Sequence, residues 1–318
     1  MIFIQFIVLG AIVVIGAIKL ASQAEVIEQN SKMNAAIIGI ILALTTSLPE
    51  LATGLTSTFI GQPQMAIGNI LGSNAFNFLI LALFNIIFFS KVVLSKIDKK
   101  ATRLNIFSGI MYALFLIAYF STINNANTEI LGRLSLTSIG ILVTYIFAIR
   151  TTSSLEEEED HSDLVVDEVA YKQAIIKFVA LAIVILLASI MLARSADTIV
   201  AVTGMNASIV GAIFIGISTS LPELVTCYSL VKNDNYTMAA TSIWGSNLFN
   251  FAILTVIDIF SNEPLLTKID SDLLGLALMG LAFAMIHYLQ TNVGSKHKII
   301  NIIPSIVMIG LYVYFFIF

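Results

Sequence analysis

Two glutamates, Glu50 and Glu223, lie inside long apolar stretches of the chain. An ionised carboxylate in such a stretch costs several kcal/mol unless it is paired or faces a polar cavity. Neither stretch carries a Lys or Arg at a comparable depth. We therefore expect the counter-charge at this pair to be a bound metal ion or a proton.

Oxygen-bearing residues accompany both glutamates at spacings that share one helix face. Thr46 precedes Glu50 by four residues, as Thr219 precedes Glu223. Carboxylate, amide, hydroxyl and carbonyl oxygens together suit a hard cation such as calcium, and they suit zinc or copper poorly. The same four-residue spacing separates two pairs in the following apolar runs, Ser73 from Asn77 and Ser246 from Asn250.

A proline directly precedes each glutamate, at positions 49 and 222. Proline has no N–H for the carbonyl four residues earlier, and its ring crowds that carbonyl. Both helices are therefore expected to break here and to turn carbonyl oxygens toward a cavity. The carbonyls concerned are those around Thr45, Thr46, Ser218 and Thr219.

These residues belong to two copies of one pattern. The segment TSLPEL at 46–51 recurs unchanged at 219–224, an offset of 173 residues. At the same offset, GSNAFNF at 72–78 returns as GSNLFNF at 245–251. The glutamate precedes the last asparagine by 27 residues in both copies. We infer an internal duplication.

The elements that must position these residues are membrane helices. The chain is 58% hydrophobic and 11% charged, against roughly 45–50% and 25% in soluble domains. Each copy holds five apolar runs of about 20 residues, the length that crosses a bilayer. Because five is odd, the second copy must be inverted relative to the first. The ten runs lie near 1–22, 34–60, 64–90, 101–122, 130–149, 172–194, 207–231, 236–261, 272–291 and 298–318.

The distribution of cations predicts the orientation. With residue 1 outside, 13 of the 16 Lys and Arg residues fall on inner connections. The positive-inside rule then places both termini outside and the 151–171 loop in the cytoplasm of a multi-pass cell-membrane protein. That loop carries eight acidic residues, a block typical of solvated chain rather than a calcium loop. It separates a first five-helix repeat at 1–150 from a second at 172–318.

The paired motifs resemble the alpha repeats of the calcium:cation antiporter superfamily, which includes the sodium/calcium exchangers. The resemblance is carried by ALTTSLPE at 43–50 and GNILGSNAFN at 68–77, with their copies at 216–223 and 241–250. It implies an all-α integral membrane protein of ten transmembrane helices, arranged as two inverted five-helix repeats. The central site of such a protein alternately binds one calcium ion or several sodium ions.

The resemblance also implies a role for each motif residue. Glu50 and Glu223 would be the main calcium ligands, and the backbone carbonyls of Thr46 and Thr219 would complete that site. The neighbouring sodium positions would be lined by Ala43, Ser47, Ser73 and Asn77, and by Gly216, Ser220, Ser246 and Asn250.

The chain departs from the family pattern at several positions. Thr45 and Ser218 stand where many members have Gly, and the Gly-Asn pair of the first copy is Thr241-Ser242 in the second. Close helix packing near the site is therefore expected to differ. Asn250 stands where potassium-dependent and many prokaryotic relatives carry Asp, which leaves two acids at the site.

The leading hypothesis is a secondary-active antiporter that exports calcium in exchange for sodium by alternating access. Its expected partners are calcium, sodium and the lipid bilayer. We expect a functional monomer with no cofactor, no enzymatic activity and no nucleic-acid partner. Proton coupling and magnesium or manganese transport remain open, and a cation channel is the rival class because channels also use oxygen-lined carboxylates.

Overall fold

The computed structural model describes residues 1–30, 35–88, 93–98, 101–123, 129–131, 134–153, 167–261, 265, 269–292 and 298–317. Helices dominate these ranges. The first six are α1 (Ile2–Gln29), α2 (Ala35–Phe59), α3 (Pro63–Ile87), α4 (Thr102–Ile123), α5 (Leu136–Ser153) and α6 (Glu168–Thr203).

The seventh apolar run is broken rather than continuous. It comprises α7 (Ala207–Val210), a π-helical segment (Gly211–Gly216), α8 (Ile217–Thr219) and α9 (Leu221–Lys232). The axis bends by 44° between the part that ends at Thr219 and α9. The chain continues with α10 (Tyr236–Phe260), α11 (Ser271–Asn292) and α12 (Lys298–Ile317).

A helix is present at each of the ten predicted apolar runs, but the fifth run begins differently. Residues Glu129–Leu131 and Leu134–Ser135 form a short antiparallel strand pair, and the helix begins only at Leu136. Gly132 and Arg133 interrupt the apolar sequence just before this helix, and glycine is a poor helix former. Outside this short pair the regular structure of the described chain is helical, in agreement with the all-α expectation.

Six helices of the described chain are long and apolar enough to cross a membrane, or seven if the bent pair counts as one span. Two shorter apolar helices, Leu136–Thr151 and Asn301–Ile317, fall below that length. The total of ten spans therefore stays a prediction. The predicted 151–171 loop is shorter in the structure, because α5 runs to Ser153 and α6 begins at Glu168. Residues 154–166, which carry most of its acidic side chains, lie outside the described residues.

Two helices occupy the centre of the molecule. Of the helices that qualify as spans, α3 and α10 are the most buried, whereas α1 and α6 are mostly exposed. The exposed faces of α1 and α6 carry apolar side chains, because polar groups facing lipid would have no hydrogen-bond partners. Around α3 pack α2, α10, α11, α12 and the π-helical segment, while α1 packs along α6. The repeated motifs therefore lie on the central helices and on their immediate neighbours.

Candidate cation site

The two intramembrane glutamates are buried. Glu50 on α2 is 0% exposed, and Glu223 in the first turn of α9 is 3% exposed. Asn69 links the segments that carry them, because its Nδ2 donates to the Glu50 carbonyl (3.4 Å) and its Oδ1 accepts from Thr219 (3.5 Å). Neither carboxylate has a Lys or Arg partner among the described residues. An ionised pair here would have no Lys or Arg of the described chain to balance it, so its counter-charge must be a bound cation or a proton.

Within the repeated motifs, oxygen atoms without a hydrogen-bond partner in the described chain occur at matching positions of the two copies. Both carboxylate oxygens of Glu50 are unpaired, as is Oε2 of Glu223. The hydroxyls of Ser47 and Ser220 and the Oδ1 atoms of Asn77 and Asn250 are also unpaired, whereas the unpaired oxygens outside the motifs show no such matching. A buried oxygen without a donor costs about 1–3 kcal/mol. Most of these atoms can only accept, so a cation or a proton donor is what satisfies them.

Four asparagines join the two copies through reciprocal hydrogen bonds. Asn74 Nδ2 donates to the Asn247 carbonyl (3.2 Å), and Asn247 Nδ2 donates to the Asn74 carbonyl (3.3 Å). Asn77 Nδ2 donates to Asn247 Oδ1, and Asn250 Nδ2 donates to Asn74 Oδ1, both at 2.9 Å. These bonds occupy an amide N–H of Asn77 and of Asn250. Their unpaired Oδ1 atoms are thereby held in fixed orientations.

The two motif serines make different contacts. Ser246 donates to Glu223 Oε1 (3.1 Å), within its own copy. Ser73 instead donates to the Gly216 carbonyl of the other copy (3.1 Å), and its hydroxyl lies 3.3 Å from that of Thr219. Thr219 also donates to the Gly216 carbonyl (3.3 Å). The Gly216 carbonyl is thus engaged by hydroxyl donors in this conformation.

The prediction that both prolines break their helices is correct for one copy and wrong for the other. Helix α2 continues through Pro49, and Thr53 Oγ1 donates to the Pro49 carbonyl (2.7 Å). Before Pro222, the backbone leaves the helical region at Ser220, with φ −92° and ψ 3°. A proline only removes one donor and crowds one carbonyl, so packing decides whether the helix bends.

Glycines explain the packing around the broken helix. A Cβ added at Gly72 of α3 would lie 2.4 Å from Ala212 Cα, and one added at Gly68 would lie 2.2 Å from the Ser208 carbonyl oxygen. From the opposite side, a Cβ at Gly211 would lie 2.3 Å from the Met65 carbonyl oxygen. Backbone therefore touches backbone between α3 and the segment from α7 to the π-helix, as small residues allow between membrane helices.

Ten of the twelve residues predicted to bind ions lie within the described residues, and direct contacts join Ser73 to Gly216 and Thr219, and Ser246 to Glu223. The side chains of Ala43 and Thr46 lie outside the described residues, although both positions belong to α2. The remaining ten, six of them with unpaired oxygens, are buried. They are Ser47, Glu50, Ser73, Asn77, Gly216, Thr219, Ser220, Glu223, Ser246 and Asn250.

Sequence reasoning assigned no role to three buried amides that organise this region. Asn74 and Asn247 orient the motif asparagines, and their identical placement at the 173-residue offset was the available signal. Asn69 Nδ2 donates to Thr53 Oγ1 (2.9 Å), which ties α3 to α2 one turn beyond Glu50. Asn69 has no such signal, because the corresponding residue in the second copy is Ser242.

Within the described chain, no cluster of three or more His, Cys, Asp or Glu side chains could hold a metal ion. A cation here would instead be held by two carboxylates with amide, hydroxyl and carbonyl oxygens. Calcium accepts such mixed oxygen sets, since it takes six to eight oxygen ligands in flexible geometry. The arrangement is therefore chemically suited to binding and releasing hard cations.

Comparison with known proteins agrees with this chemistry. The family model described as sodium/calcium exchanger protein matches residues 1–152 and 173–318. The chain belongs to this family. The unmatched residues, 153–172, coincide with the acidic segment between α5 and α6. This exchanger is therefore an antiporter of the calcium/cation exchanger superfamily and a multi-pass membrane protein. Its family transports ions and requires no cofactor.

Individual relatives are similar to the exchanger along most of its length. A protein of Alkalimonas amylolytica named "Putative antiporter CaxA" is 28% identical over 259 residues, which cover 80% of this chain and 78% of that protein. The H+/Ca2+ exchanger CAX superposes with a TM-score of 0.68 at 15% identity, covering 99% of this chain and 87% of that one. The sodium-calcium exchanger NCX_Mj gives 0.61 at 19% identity, covering 99% and 98%. At these identities the two structures establish the fold alone.

Proposed function

We propose that this exchanger carries calcium out of the cell in exchange for sodium, by alternating access of one site between two inverted five-helix repeats. The observation that carries the proposal is the set of unpaired oxygens from Ser47, Glu50 and Asn77 and their partners 173 residues later. A cation bound between the copies would satisfy both halves of that set at once. One Glu from each copy would neutralise the two charges of a calcium ion.

The composition of the oxygen set favours sodium over protons as the driving ion. A proton-coupled cycle needs only titratable groups, which at this site are Glu50 and Glu223. Protonation of both would leave the amide oxygens of Asn77 and Asn250 without a partner from the described chain. Sodium is also a hard cation bound through oxygen, so several sodium ions can use amides, hydroxyls and carboxylates together.

Proton coupling is the second candidate, because the H+/Ca2+ exchanger CAX has a similar fold. CAX exchanges calcium for protons, whereas NCX_Mj is a sodium-calcium exchanger, and both share this fold. The fold therefore cannot select the driving ion. The experiment must separate the two gradients.

Calcium flux in proteoliposomes tests the proposal. Vesicles loaded with sodium are diluted into sodium-free medium that contains calcium, and uptake is compared with vesicles in which only a pH gradient is imposed. We expect the outward sodium gradient to drive calcium uptake and the pH gradient alone to have little effect. Uptake that follows the pH gradient and ignores sodium would establish the proton-coupled alternative.

A further inference from the structure

Helices α1 and α6 pack along each other at the exposed edge of the molecule, with a groove between them. Their polar ends meet where the Asp167 N–H donates to Asn30 Oδ1 (3.2 Å). Lys19 lies 11 residues before Asn30, and Lys177 lies 10 residues after Asp167. At 1.5 Å per helical residue, both lysines are about 15 Å from that end and therefore lie at the same height.

The two lysines also mark the boundary of the apolar part of each helix. Residues 1–18 of the chain contain no charged side chain, and neither do residues 178–193. Lys19 and Lys177 are thus the first charges met on leaving the apolar stretch. In a membrane this is the height of the lipid headgroups, where lysines are readily accommodated.

The groove between the helices has a volume of about 340 Å³ and is amphipathic. Lys19, Ser22, Gln23 and Lys177 line its polar end. Leu181 and Val184 continue it into the apolar region. Among the described residues, neither lysine forms a salt bridge, so both ammonium groups are available to a ligand.

We propose that this groove binds one anionic phospholipid, with its phosphate between the ammonium groups of Lys19 and Lys177. Ser22 and Gln23 supply hydrogen-bond donors to the headgroup oxygens, and an acyl chain lies along Leu181 and Val184. An anionic headgroup is selected because a zwitterionic lipid carries its own cation, which competes with the two lysines for the phosphate. This site goes beyond the proposed transport function and does not depend on the identity of the driving ion.

Native mass spectrometry of the purified full-length protein tests the site. The protein in detergent is titrated with phosphatidylglycerol, with phosphatidylcholine of the same chains and with inorganic phosphate. We expect one phosphatidylglycerol to bind with higher affinity than phosphatidylcholine. The variants K19Q and K177Q should each weaken it about fivefold, the usual contribution of a lysine near an anionic lipid surface. Inorganic phosphate should not displace the lipid, because it lacks the acyl chains.

Lys172→Gln is the matched control. Like K177Q, it removes one positive charge from α6. Lys172 lies outside the groove, however, and is paired with Glu168 at 3.6 Å. Its phosphatidylglycerol affinity should equal that of the wild type, and K19R/K177R should retain binding. Equal binding of the two lipids, equal loss in K172Q, or full competition by inorganic phosphate would overturn the proposal. A folded K19Q/K177Q variant that binds phosphatidylglycerol normally would also overturn it.

Discussion

The two copies of the motif share their sequence but adopt different structures. The hexapeptide TSLPEL lies in the continuous helix α2 in the first copy and spans a 44° bend in the second. Gly72 of α3 touches the backbone at Ala212, whereas a Cβ at the equivalent Gly245 of α10 would meet no atom of the described residues within 4 Å. Within the part of the chain that the structure describes, close backbone contact is therefore seen at Gly72 and not at Gly245.

Near-identical sequences in two environments are what the proposed alternating access would require if each copy adopts both in turn. The asymmetry in the serines agrees, because Ser246 bonds to Glu223 while Ser73 bonds across to Gly216. We interpret the structure as one of two states. In the other state, each copy would take the packing that its counterpart has here. The proposed inverted repeats would allow such an exchange, since one repeat can take the shape of its partner. The asparagine contacts, by contrast, are the same in both directions and should persist in both states.

The largest effect is expected from removing a carboxylate. Glu50→Gln and Glu223→Gln each take away one of the two charges available to a divalent cation in a poorly solvated site. Loss of one partner of a buried charge interaction costs about 3–5 kcal/mol, so calcium transport should fall by at least about 100-fold in either variant. Radioactive calcium flux measures the effect, with size-exclusion profiles as a control for folding. A variant with near-normal flux would place the site elsewhere.

The two glycines should separate the packed copy from the open one. Gly72→Ala forces a methyl into the backbone at Ala212, and such overpacking costs about 1–3 kcal/mol. Its thermal transition in detergent should therefore occur at a lower temperature than that of the wild type. Gly245→Ala should leave the transition nearly unchanged, because no atom of the described residues lies within 4 Å of the added methyl.

Calcium flux tests whether Gly245 becomes closely packed in a second state of the protein. If the copies exchange environments, Gly245 becomes tightly packed in the other state, and Gly245→Ala should slow calcium flux despite its normal thermal stability. Normal flux in Gly245→Ala together with strong loss in Gly72→Ala would argue that the asymmetry is permanent.

The asparagine contacts provide a test of what the copies have in common. Asn74→Ala and Asn247→Ala each remove a side chain that donates one bond and accepts another. Each substitution should weaken calcium binding by about 1–3 kcal/mol, because it leaves the side-chain amide of Asn250 or Asn77 without its hydrogen-bond acceptor. The double variant should lose less than the sum, since the bonds are shared. Strictly additive losses would contradict a single coupled unit.

The smallest expected effect separates the two serines. Ser246 donates to Glu223 Oε1, which is charged when Glu223 is ionised, and Ser73 donates to a neutral backbone carbonyl. Hydrogen bonds to charged groups contribute about 1.5–3 kcal/mol, and neutral ones about 0.5–1.5. Ser246→Ala should therefore lower the thermal transition more than Ser73→Ala when both are measured without calcium or sodium. The reverse order would mean that the carboxylate of Glu223 is not the charged acceptor in that state.

Much of the fold and the site could be predicted from sequence because the signals are local and repeated. Apolar runs of membrane-spanning length locate the helices, and the 173-residue offset pairs Glu50 with Glu223 and Asn77 with Asn250. The bend could not be predicted in this way, because Pro49 and Pro222 have identical neighbours from two residues before to two residues after. What differs is the packing partner, for which Gly68 and Gly72 of α3 are both required.

The sequence contained one indication of that difference. Gly68-Asn69 is replaced by Thr241-Ser242 in the second copy. Gly68 has no room for a Cβ beside the Ser208 carbonyl, so a threonine at this contact would separate the helices. That packing near the site differs from the family pattern at this position stays a prediction. The continuous helix α2 opposite the broken helix of the second copy could be recognised only in three dimensions.

Direct calcium binding is the most immediate test of the central claim, that oxygens of both copies form one site shared by calcium and sodium. Equilibrium dialysis of the purified exchanger with radioactive calcium should give one calcium per chain, lost in both Glu50→Gln and Glu223→Gln. Added sodium should displace the calcium with a sigmoidal dependence, because several sodium ions occupy the same oxygens, while equal choline should not. Calcium retained by either glutamine variant, or left undisturbed by sodium, would contradict the account.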